Sequence, residues 1–320
     1  MAGDRDVMAA ALALGERGRG RTGANPHVGC IIMRDGRVLA RGWTQPGGRP
    51  HAEAHALSRI EGPLDGATVY VTLEPCAHES ERGPACADLL AKARPERVVI
   101  AAHDADPRTE GKGIAWLQDA GIAVTHGVMA AEAHRSMAGF FTRQAHGRPH
   151  VTLKLATSLD GRIAMADRSS RWITGDRARA HAHGLRAQSD HILVGGGTLR
   201  ADDPKLDVRL AGLEERSPRR EVLTRGSVPE GWNGIAAPEG IADLAGNYLL
   251  VEGGAQTAAA FLAAGLVDRL VLYRAPILIG EGRPALGDIG LAALADAHGQ
   301  WQLADTRMLG SDRLEVYERS

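Results

Sequence analysis

The sequence predicts an α/β protein with two domains, and three observations support this prediction. The chain has 320 residues, which corresponds to two domains of about 150 residues each. Short apolar runs of strand length alternate with helical patterns in both halves, and this alternation is typical of layered sheets and helices. The polar stretch Ala145–Pro149 separates the two halves. We therefore expect domains at residues 1–146 and 149–320.

The composition is that of a globular protein and argues against several other classes. Apolar residues make up 44% of the chain and charged residues 24%, close to the average for soluble domains. The net charge of −1 and the scattered arginines give no basic stripe, so we expect no nucleic-acid partner. No apolar run approaches the roughly 18 residues that span a bilayer, so we expect no membrane contact. Val7–Leu14 is apolar, but it follows Asp4 and Asp6, which favours a helix over a signal peptide. We therefore expect a cytoplasmic location.

The first half begins with a helix and a hairpin and then alternates strands with helices. Asp35-Gly36 is a favoured turn pair between the two strands of the hairpin. The predicted elements are, in order, helix Asp4–Arg17, strands Val28–Met33 and Arg37–Gly42, helix Pro50–Ile60, strand Thr68–Leu73, helix Pro84–Ala93, strand Arg97–Ala102, helix Gly113–Ala120, strand Ile122–His126 and helix Ala130–Gln144.

A second alternation follows the boundary stretch. Within it, the segment Leu210–Ala245 is rich in Gly, Pro and Arg and predicts only a short apolar run near Val222. The predicted elements of this half are strand Val151–Thr157, helix Arg177–Ala187, strands His191–Gly195 and Asn247–Val251, helix Ala255–Ala264, strand Arg269–Ala275 and two closing strands within Gly299–Ser320.

The pattern with the most chemical content in the first half is His51-Ala52-Glu53, followed by Pro75-Cys76 and Cys86. One imidazole and two thiolates are ligands that Zn²⁺ prefers, and three protein ligands leave a fourth position for water. Zinc lowers the pKa of that water to about 7. Glu53 can face the water without binding the metal, as in the His-x-Glu and Pro-Cys pattern of nucleobase deaminases. These residues therefore indicate a zinc-dependent hydrolytic deaminase.

The spacing of the two cysteines leaves alternatives open. Nine residues separate Cys76 from Cys86, whereas the deaminase pattern has two. The longer loop costs little, because each doubling of loop length adds only about 0.6 kcal/mol of closure entropy. The alternatives are a closed structural zinc site and a core that contains His and Cys by chance. Cys30 fits a buried thiol better than a metal ligand.

Three features of the second half point to a site for a phosphate-bearing cofactor. Lys154 lies inside an apolar strand, where its charge must be paired, used in function or extended to solvent at the strand end. Gly195–Thr198 follows an apolar strand, and Glu252–Ala255 lies between a strand and a helix. Glycines in such loops let backbone N–H groups approach phosphates. Neither loop has the Gly-x-Gly-x-x-Gly fingerprint, so a fold of the Rossmann type is not predicted.

Motifs along the whole chain resemble those of the bifunctional riboflavin-biosynthesis deaminase/reductase family. The resemblance implies an N-terminal cytidine-deaminase-like domain of three layers and a C-terminal dihydrofolate-reductase-like domain. The segment between Arg209 and Val251 is shorter than is usual in the family. The matching stretches are Asn25–Cys30, Pro50–Leu57 and Thr72–His78 in the first half, and Lys154–Ala164, Arg171–Gly175, Ser189–Pro204 and Val251–Gly254 in the second.

The resemblance also implies which residues form the two sites. In the deaminase domain Glu53 would move the proton, and the zinc ligands would be His51, Cys76 and Cys86. The contacts to the deaminase substrate would be Asn25, His78, Arg82 and Asp104. The contacts to NADPH would be Ala156, Trp172, Thr198, Asp202 and Gly254. The contacts to the reductase substrate would be Lys154, Ser170, Arg186, Leu206, Arg209 and Glu252.

The implied activity has two steps on small pyrimidine ribosyl phosphates. The first hydrolyses the 2-amino group of 2,5-diamino-6-ribosylamino-4(3H)-pyrimidinone 5′-phosphate. The second uses NADPH to reduce the ribosyl group to ribityl through an imine, with Lys154 and Glu252 as candidate proton donors. The resemblance further implies a homo-oligomer that forms through the reductase domain.

Two other functions remain open from the sequence. One is a nucleoside or tRNA deaminase with a non-catalytic C-terminal domain, which would need a basic, aromatic-lined surface for unstacked bases. An aromatic content of 4% and the near-neutral charge disfavour it. The other is a zinc-stabilised or nucleotide-sensing module whose sites no longer turn over, which the short segment at residues 210–250 motivates.

Overall fold

The computed structural model describes residues 3–78 and 80–320. The chain divides into two compact units, of which the first ends at Gly147 and the second begins at Arg148. Among the described residues, no helix combines the length and the apolar character needed to cross a membrane.

The first unit is built on one five-stranded sheet. Its strand order is β2-β1-β3-β4-β5, with β1 antiparallel to both neighbours and β3, β4 and β5 parallel to one another, where β1 is Gly29–Arg34, β2 is Arg37–Trp43, β3 is Thr68–Leu73, β4 is Arg97–Ala102 and β5 is Ala123–His126. The helices are α1 (Asp4–Gly15), α2 (Ala52–Leu57), α3 (Cys86–Ala93), α4 (Lys112–Asp119), α5 (Ala130–Ser136) and α6 (Ala138–His146). Short 3₁₀ turns lie at Glu16–Gly18 and Pro46–Gly48.

Helices cover both faces of this sheet, and two glycines show how closely they pack. A Cβ at Gly29 would lie 1.9 Å from the carbonyl oxygen of Ala11 in α1. A Cβ at Gly42 would lie 2.1 Å from the carbonyl oxygen of Ala52 in α2. Gly42 is paired with Cys30, the neighbour of Gly29, and successive strand residues face opposite sides of a sheet. The first unit therefore has the three predicted layers, with helix backbones in direct contact with strands.

The second unit is built on an eight-stranded sheet and a small two-stranded sheet of β7 and β13. The order in the large sheet is β10-β9-β8-β11-β6-β12-β15-β14. Its strands are β6 (His150–Thr157), β8 (His191–Gly195), β9 (Arg219–Leu223), β10 (Asn233–Ile235), β11 (Tyr248–Val251), β12 (Arg269–Arg274), β14 (Trp301–Leu309) and β15 (Asp312–Arg319); β7 is Arg162–Met165 and β13 is Gly282–Pro284. The helices are α7 (Asp176–Ala187), α8 (Gly196–Asp202) and α9 (Ala255–Ala263), with 3₁₀ turns at Glu214–Arg216, Pro238–Asp243 and Leu294–Ala297.

The parallel part of this sheet brings the ends of several strands to one edge. Strands β10, β9, β8, β11, β6 and β12 are mutually parallel, whereas β15 pairs antiparallel with both β12 and β14. Ligands of open α/β sheets bind outside the carboxyl ends of parallel strands. The segments after β8 and β11, which carry the glycines noted in the sequence, both leave the sheet at this edge.

Several predicted elements differ from the observed ones. The helix predicted over Ala130–Gln144 is two helices, because the helical geometry breaks at the fully buried Met137. The helix predicted from Pro50 begins at Ala52, after His51 as its N-cap. The glycine stretch after β8 forms helix α8 instead of a loop.

The segment Leu210–Ala245, for which the sequence predicts almost no regular structure, contributes two strands to the large sheet. Strands β9 and β10 both lie within Leu210–Ala245, and they form the parallel edge beside β8. No α-helix connects β9 to β10 among the described residues; a 3₁₀ turn follows β10 instead. The short connection explains why the sequence carries no helical pattern here.

Candidate active sites

Three potential metal ligands converge in the first unit from the ends of different elements. His51 is the N-cap of α2, Cys76 follows β3, and Cys86 is the first residue of α3. The Nδ1 atom of His51 lies 3.5 Å from Sγ of Cys76 and 3.4 Å from Sγ of Cys86. The candidate ligand atoms of the three residues all lie within 4.8 Å of one another. The long loop between the cysteines therefore still brings both thiols to one imidazole.

These separations fit a zinc ion. With Zn–S distances of about 2.3 Å and Zn–N distances of about 2.0–2.1 Å, a tetrahedral angle puts sulfur and nitrogen about 3.5 Å apart. Hydrogen bonds from the Cys86 thiol and His51 hold the pKa of Cys76 well below its usual value. The backbone N–H of Cys86 also donates to Sγ of Cys76 over 3.2 Å. The site therefore offers one imidazole and a stabilised thiolate in the geometry that zinc requires.

Glu53 lies beside these ligands and is almost completely buried. Its exposed fraction is 3%, and burial raises its pKa to about 7 although the nearby His51 lowers it. The fully buried thiol of Cys30 is a further neighbour, and burial together with the Glu53 charge raises the pKa of that thiol. Cys30 is thus a neutral side chain near Glu53, in agreement with its interpretation as a buried thiol. Glu53 is a carboxyl group that can exist in both protonation states near neutral pH.

The four predicted contacts to the deaminase substrate lie on loops of the first unit. Nδ1 of His78 is 3.3 Å from Oγ1 of Thr109, and Asp104 is 7% exposed. Burial raises the pKa of Asp104 to about 7. Arg82 is exposed and donates to the carbonyl oxygen of Gly47 over 2.6 Å.

The fourth predicted contact, Asn25, lies against the same short turn that Arg82 reaches. Nδ2 of Asn25 donates to the carbonyl oxygen of Thr22 over 3.3 Å. A Cβ at Gly48 would lie 2.1 Å from that Nδ2 atom, and Gly48 follows the Gly47 carbonyl that accepts from Arg82. Asn25 and Arg82 therefore both contact the short turn Pro46–Gly48.

Two neighbouring cavities lie in the second unit, and they share part of their lining. Their volumes are about 770 Å³ and 510 Å³. Both are lined by Lys154, Ala156, Ser170 and Glu252. A cofactor in one cavity and a substrate in the other would meet at these shared residues.

Most of the residues predicted for the reductase lie at one of the two cavities. The larger cavity is lined by Ala156, Thr198, Asp202 and Gly254, and the smaller one by Trp172, Arg186 and Arg209. Trp172 is 63% exposed and lies under the guanidinium of Arg179. Leu206 lines neither cavity; it is 5% exposed and packs with Ile192, Val194 and Leu199.

Lys154 is paired within a buried ionic network. Arg186 donates two hydrogen bonds to Glu252, of 2.8 Å from Nε and 3.0 Å from Nη2. Nζ of Lys154 lies 3.5 Å from Oε2 of the same carboxylate. Burial disfavours the charged carboxylate, but Lys154 and Arg186 outweigh this effect and lower the pKa of Glu252 to about 2. Glu252 is therefore ionised at neutral pH and holds both cations.

The two glycine-rich segments converge on one side chain of α9. A Cβ at Gly195 would lie 2.1 Å from Oγ1 of Thr257, and a Cβ at Gly253 would lie 2.4 Å from Cβ of Thr257. Glycine is favoured at these two positions, because a Cβ at either would displace the buried side chain of Thr257. Gly254 is the N-cap of α9, so the N–H groups of the first turn of this helix face the larger cavity.

Three residues near the sites escaped the sequence analysis. The buried carboxylate of Glu74 directly precedes Pro75-Cys76, and a charged residue at the end of a buried strand is a signal that could have found it. Thr109 and Tyr273 carry no such signal. The hydroxyl of Tyr273 is 2.7 Å from Nδ1 of His181, and its ring centre is 5.9 Å from Nζ of Lys154. Burial raises the pKa of Tyr273, which keeps this neighbour of Lys154 neutral.

Comparisons with protein families match both units. The cytidine and deoxycytidylate deaminase zinc-binding region matches residues 1–102. The RibD C-terminal domain matches residues 149–232 and 239–314. The interruption at residues 233–238 coincides with β10 and the start of the following 3₁₀ turn.

Relatives and solved structures match nearly the whole chain. The riboflavin biosynthesis protein RibD of Escherichia coli (strain K12) is 40% identical, and the match covers 97% of each chain. A structure of Acinetobacter baumannii RibD is 34% identical with a TM-score of 0.88, and the match covers 99% of each chain. A Thermotoga maritima structure, described as a diaminohydroxyphosphoribosylaminopyrimidine deaminase/5-amino-6-(5-phosphoribosylamino)uracil reductase, is 29% identical with a TM-score of 0.90 and the same coverage.

These matches confirm the predicted fold class, with a cytidine-deaminase-like first unit and a dihydrofolate-reductase-like second unit. They also confirm that the chain is an enzyme with a zinc-binding deaminase domain and a reductase domain. The chain therefore belongs to the RibD family of bifunctional deaminase/reductases in riboflavin biosynthesis.

Proposed function

We propose that this chain deaminates 2,5-diamino-6-ribosylamino-4(3H)-pyrimidinone 5′-phosphate and then reduces the ribosyl group of the product to ribityl. The observation that carries the proposal is the convergence of His51 and two cysteines, at 3.4 and 3.5 Å, beside a buried Glu53. The paired cavities around Lys154 supply a second site in the same chain. Both activities appear in the description of the Thermotoga maritima structure.

In the deaminase domain, His51, Cys76 and Cys86 would hold zinc and Glu53 would handle the protons. When bound, zinc supplies Lewis-acid chemistry, because it lowers the pKa of a bound water molecule to about 7. The buried carboxyl group of Glu53, beside the three ligands, would accept a proton as water attacks the ring carbon and return it to the departing nitrogen. One C–O bond forms and one C–N bond breaks, and ammonia leaves.

The substrate contacts of this domain would come from the four loop residues. Asp104, with its pKa of about 7, and His78 offer hydrogen bonds to the pyrimidine and the ribose. Asn25 offers both a donor and an acceptor. Arg82 is exposed and donates one N–H to the carbonyl oxygen of Gly47, and its other guanidinium N–H groups would bind the 5′-phosphate.

In the reductase domain, the larger cavity would hold NADPH and the smaller one the pyrimidine. NADPH supplies the hydride when bound. The cofactor contacts in the larger cavity would be Ala156, Thr198, Asp202 and Gly254, and the substrate contacts in the smaller one Lys154, Ser170, Arg186, Arg209 and Glu252. Trp172 lines only the smaller cavity and Leu206 lines neither, so we do not propose cofactor contact for the first or substrate contact for the second. The first turn of α9 offers N–H groups to the cofactor phosphates.

Lys154 is the proton donor that the geometry favours for the reduction. Glu252 has a pKa of about 2 and carries no proton to give at neutral pH. Lys154 lies 3.5 Å from that carboxylate and lines both cavities, so its ammonium group faces the place where cofactor and substrate would meet. Arg186 and Arg209 would bind the 5′-phosphate at the smaller cavity.

Three further properties belong to this proposal. We place the domains at residues 1–146 and 149–320, and the protein in the cytoplasm, where its three free thiols would stay reduced.

We infer a homo-oligomer that forms through the reductase domain. Strand β14 lies at the edge of the large sheet and exposes 54% of Leu303 and 62% of Met308. Light scattering on the full chain should give more than the monomer mass of 33.8 kDa, and a monomer at micromolar concentration would exclude this inference.

The experiment that tests the two activities supplies the diaminopyrimidine phosphate to the zinc-loaded full chain. We expect ammonia release without cofactor, and loss of NADPH absorbance only after deamination. Glu53→Gln should stop the first reaction, and Lys154→Met should stop the second while ammonia release continues. Absence of ammonia release by the wild-type chain would refute the deaminase proposal, and unchanged NADPH absorbance would refute the reductase proposal.

A further inference from the structure

The carboxylate of Glu74 accepts several backbone hydrogen bonds that a role in the metal site would not require. Its side chain is fully buried at the end of β3, two residues before Cys76. Oε2 accepts hydrogen bonds from the N–H of Asp104 over 3.2 Å and of Gly111 over 3.1 Å. Oε1 accepts from the N–H of Ile114 over 3.1 Å. The carboxylate thus satisfies three backbone donors of one neighbouring segment, and its Oε2 also lies 3.6 Å from Nδ1 of His103 in the same segment.

These three donors lie at both ends of one loop. Asp104 follows β4, whereas Gly111 is the N-cap of α4 and Ile114 lies in the first turn of that helix. No side chain of the helix itself caps this terminus, so the carboxylate from β3 takes that place. A Cβ at Gly113 would lie 2.1 Å from the carbonyl oxygen of Pro75. The start of α4 is therefore fixed directly against the strand end that carries Cys76.

The loop held in this way carries Asp104, and its Thr109 contacts His78. Oδ1 of Asp104 accepts the N–H of Asp106 over 2.9 Å, which orients the Asp104 carboxyl within the loop. Oγ1 of Thr109 lies 3.3 Å from Nδ1 of His78 and accepts the N–H of Ala77 over 3.4 Å. Two of the proposed substrate contacts, Asp104 and His78, thus take their position from a loop whose ends are bonded to Glu74.

We propose that Glu74 is the positioning residue for substrate in the deamination reaction. It touches neither the metal position nor the pyrimidine; it holds the segment 103–114 so that Asp104 and His78 face the ring and the ribose. The proposal rests on the proposed substrate roles of Asp104 and His78. It assigns Glu74 to substrate affinity and leaves zinc binding to His51 and the two cysteines.

The chemistry of the carboxylate explains why an amide cannot replace it. Glutamine has the same shape but only one acceptor oxygen. In Glu74→Gln the NH₂ group would face either the N–H of Ile114 or the two N–H groups of Asp104 and Gly111, so donors would face donors in a buried site. Unsatisfied buried donors are costly, and we expect the segment to open locally to reach water.

The test compares Glu74→Gln with Asp4→Asn in the zinc-loaded full chain. Asp4 is a matched control, because it also joins separate elements of this unit through hydrogen bonds to Arg97 and Tyr70. We expect Glu74→Gln to speed amide exchange in residues 103–114, to raise KM for the pyrimidine substrate about ten-fold or more, and to keep kcat within a few-fold and zinc at wild-type stoichiometry. Asp4→Asn should leave both KM and the exchange of this segment unchanged.

The outcomes separate this proposal from the proposed function. A wild-type KM in Glu74→Gln, or a loss of zinc that accounts for the whole defect, would refute the positioning role. Failure of the wild-type chain to release ammonia would instead refute the deaminase proposal. Should Glu74→Gln not fold, Glu74→Asp keeps both acceptor oxygens but is one methylene shorter. A wild-type KM and wild-type exchange of residues 103–114 in that variant would equally overturn the inference.

Discussion

Replacement of Glu252 by glutamine should destabilise the second unit strongly. The substitution keeps the side-chain shape but leaves Lys154 and Arg186 without their common anion in a buried site. The pKa of Glu252 falls from an ordinary value of 4.5 to about 2 in the folded chain. At about 1.4 kcal/mol for each pKa unit, this shift corresponds to about 3 kcal/mol of folding free energy. Removal of one partner from a buried ion pair costs about 3–5 kcal/mol in general, so the two magnitudes agree.

The same reasoning fixes the pH dependence of this effect. Because the folded pKa lies below the unfolded value, the carboxylate stabilises the fold above about pH 4.5 and loses this contribution as the pH falls towards 2. The difference in unfolding free energy between wild type and Glu252→Gln should therefore fall from about 3 kcal/mol at pH 7 to about 1 kcal/mol at pH 3. An effect of packing alone would not change with pH in this range.

Hydrogen exchange across a urea series, measured on peptides from β6 and β11, reports the unfolding of this unit alone. Glu239→Gln is the matched control, because Glu239 is exposed and has no ion-pair partner among the described residues. The control should lie within about 0.5 kcal/mol of wild type. A loss below 1 kcal/mol in Glu252→Gln at pH 7, or a loss that stays constant down to pH 3, would refute the assignment of a buried, ionised Glu252.

Three further substitutions test the two sites. Cys76→Ser should lose zinc, as measured by metal analysis, and should release no ammonia, while the deaminated pyrimidine is still reduced; loss of both activities with the second unit folded would contradict separate sites. Glu53→Gln should keep zinc and lower kcat for deamination by about 10²–10⁴-fold, and near wild-type turnover would exclude its proton role. Gly195→Ala should weaken NADPH binding in titration calorimetry, because its Cβ would lie 2.1 Å from Oγ1 of Thr257. Gly184→Ala, whose Cβ would meet nothing within 4 Å, should bind as wild type does.

The metal site could be predicted from the sequence because its groups lie in short motifs at the ends of elements. His51 and Glu53 share the start of α2, so two residues of spacing fix their separation. Cys76 follows a strand with a clear apolar run, and Cys86 begins a helix. Only the loop between the cysteines was uncertain, and its length is immaterial once both anchors are fixed by packing.

The reductase network could not be predicted in the same way. Lys154, Arg186 and Glu252 lie on β6, on α7 and after β11, and they meet only through the order of the strands in the sheet. The sequence indicated Lys154 by its place in an apolar strand, and Arg186 and Glu252 through the family resemblance, but it did not indicate that the three are paired. Tyr273 was missed for the same reason, since it reaches Lys154 through the register of β12 against β6.

Local patterns also fail where tertiary packing overrides them. Residues 130–144 contain neither Pro nor a helix-ending Gly at the break, so the periodic pattern predicts one continuous helix. The helix nevertheless ends at Met137, which is fully buried, and a new helix places Phe140 in the same core. For β9 and β10 the pattern instead fails to predict strands that are present, because these short strands carry too few apolar residues.

Three buried glutamates show why side-chain identity alone does not determine chemistry. At Glu53 the effect of burial outweighs that of the nearby His51, so its pKa rises to about 7. Glu252 is buried between two cations, so their charges decide and its pKa falls to about 2. Glu74 accepts hydrogen bonds from three backbone N–H groups, and an imidazole, that of His103, lies 3.6 Å from its Oε2. The first environment suits proton transfer, the second holds cations in place and the third fixes a loop. Each of these environments is assembled from residues distant in sequence, so the division of roles among the three carboxylates is a property of the fold.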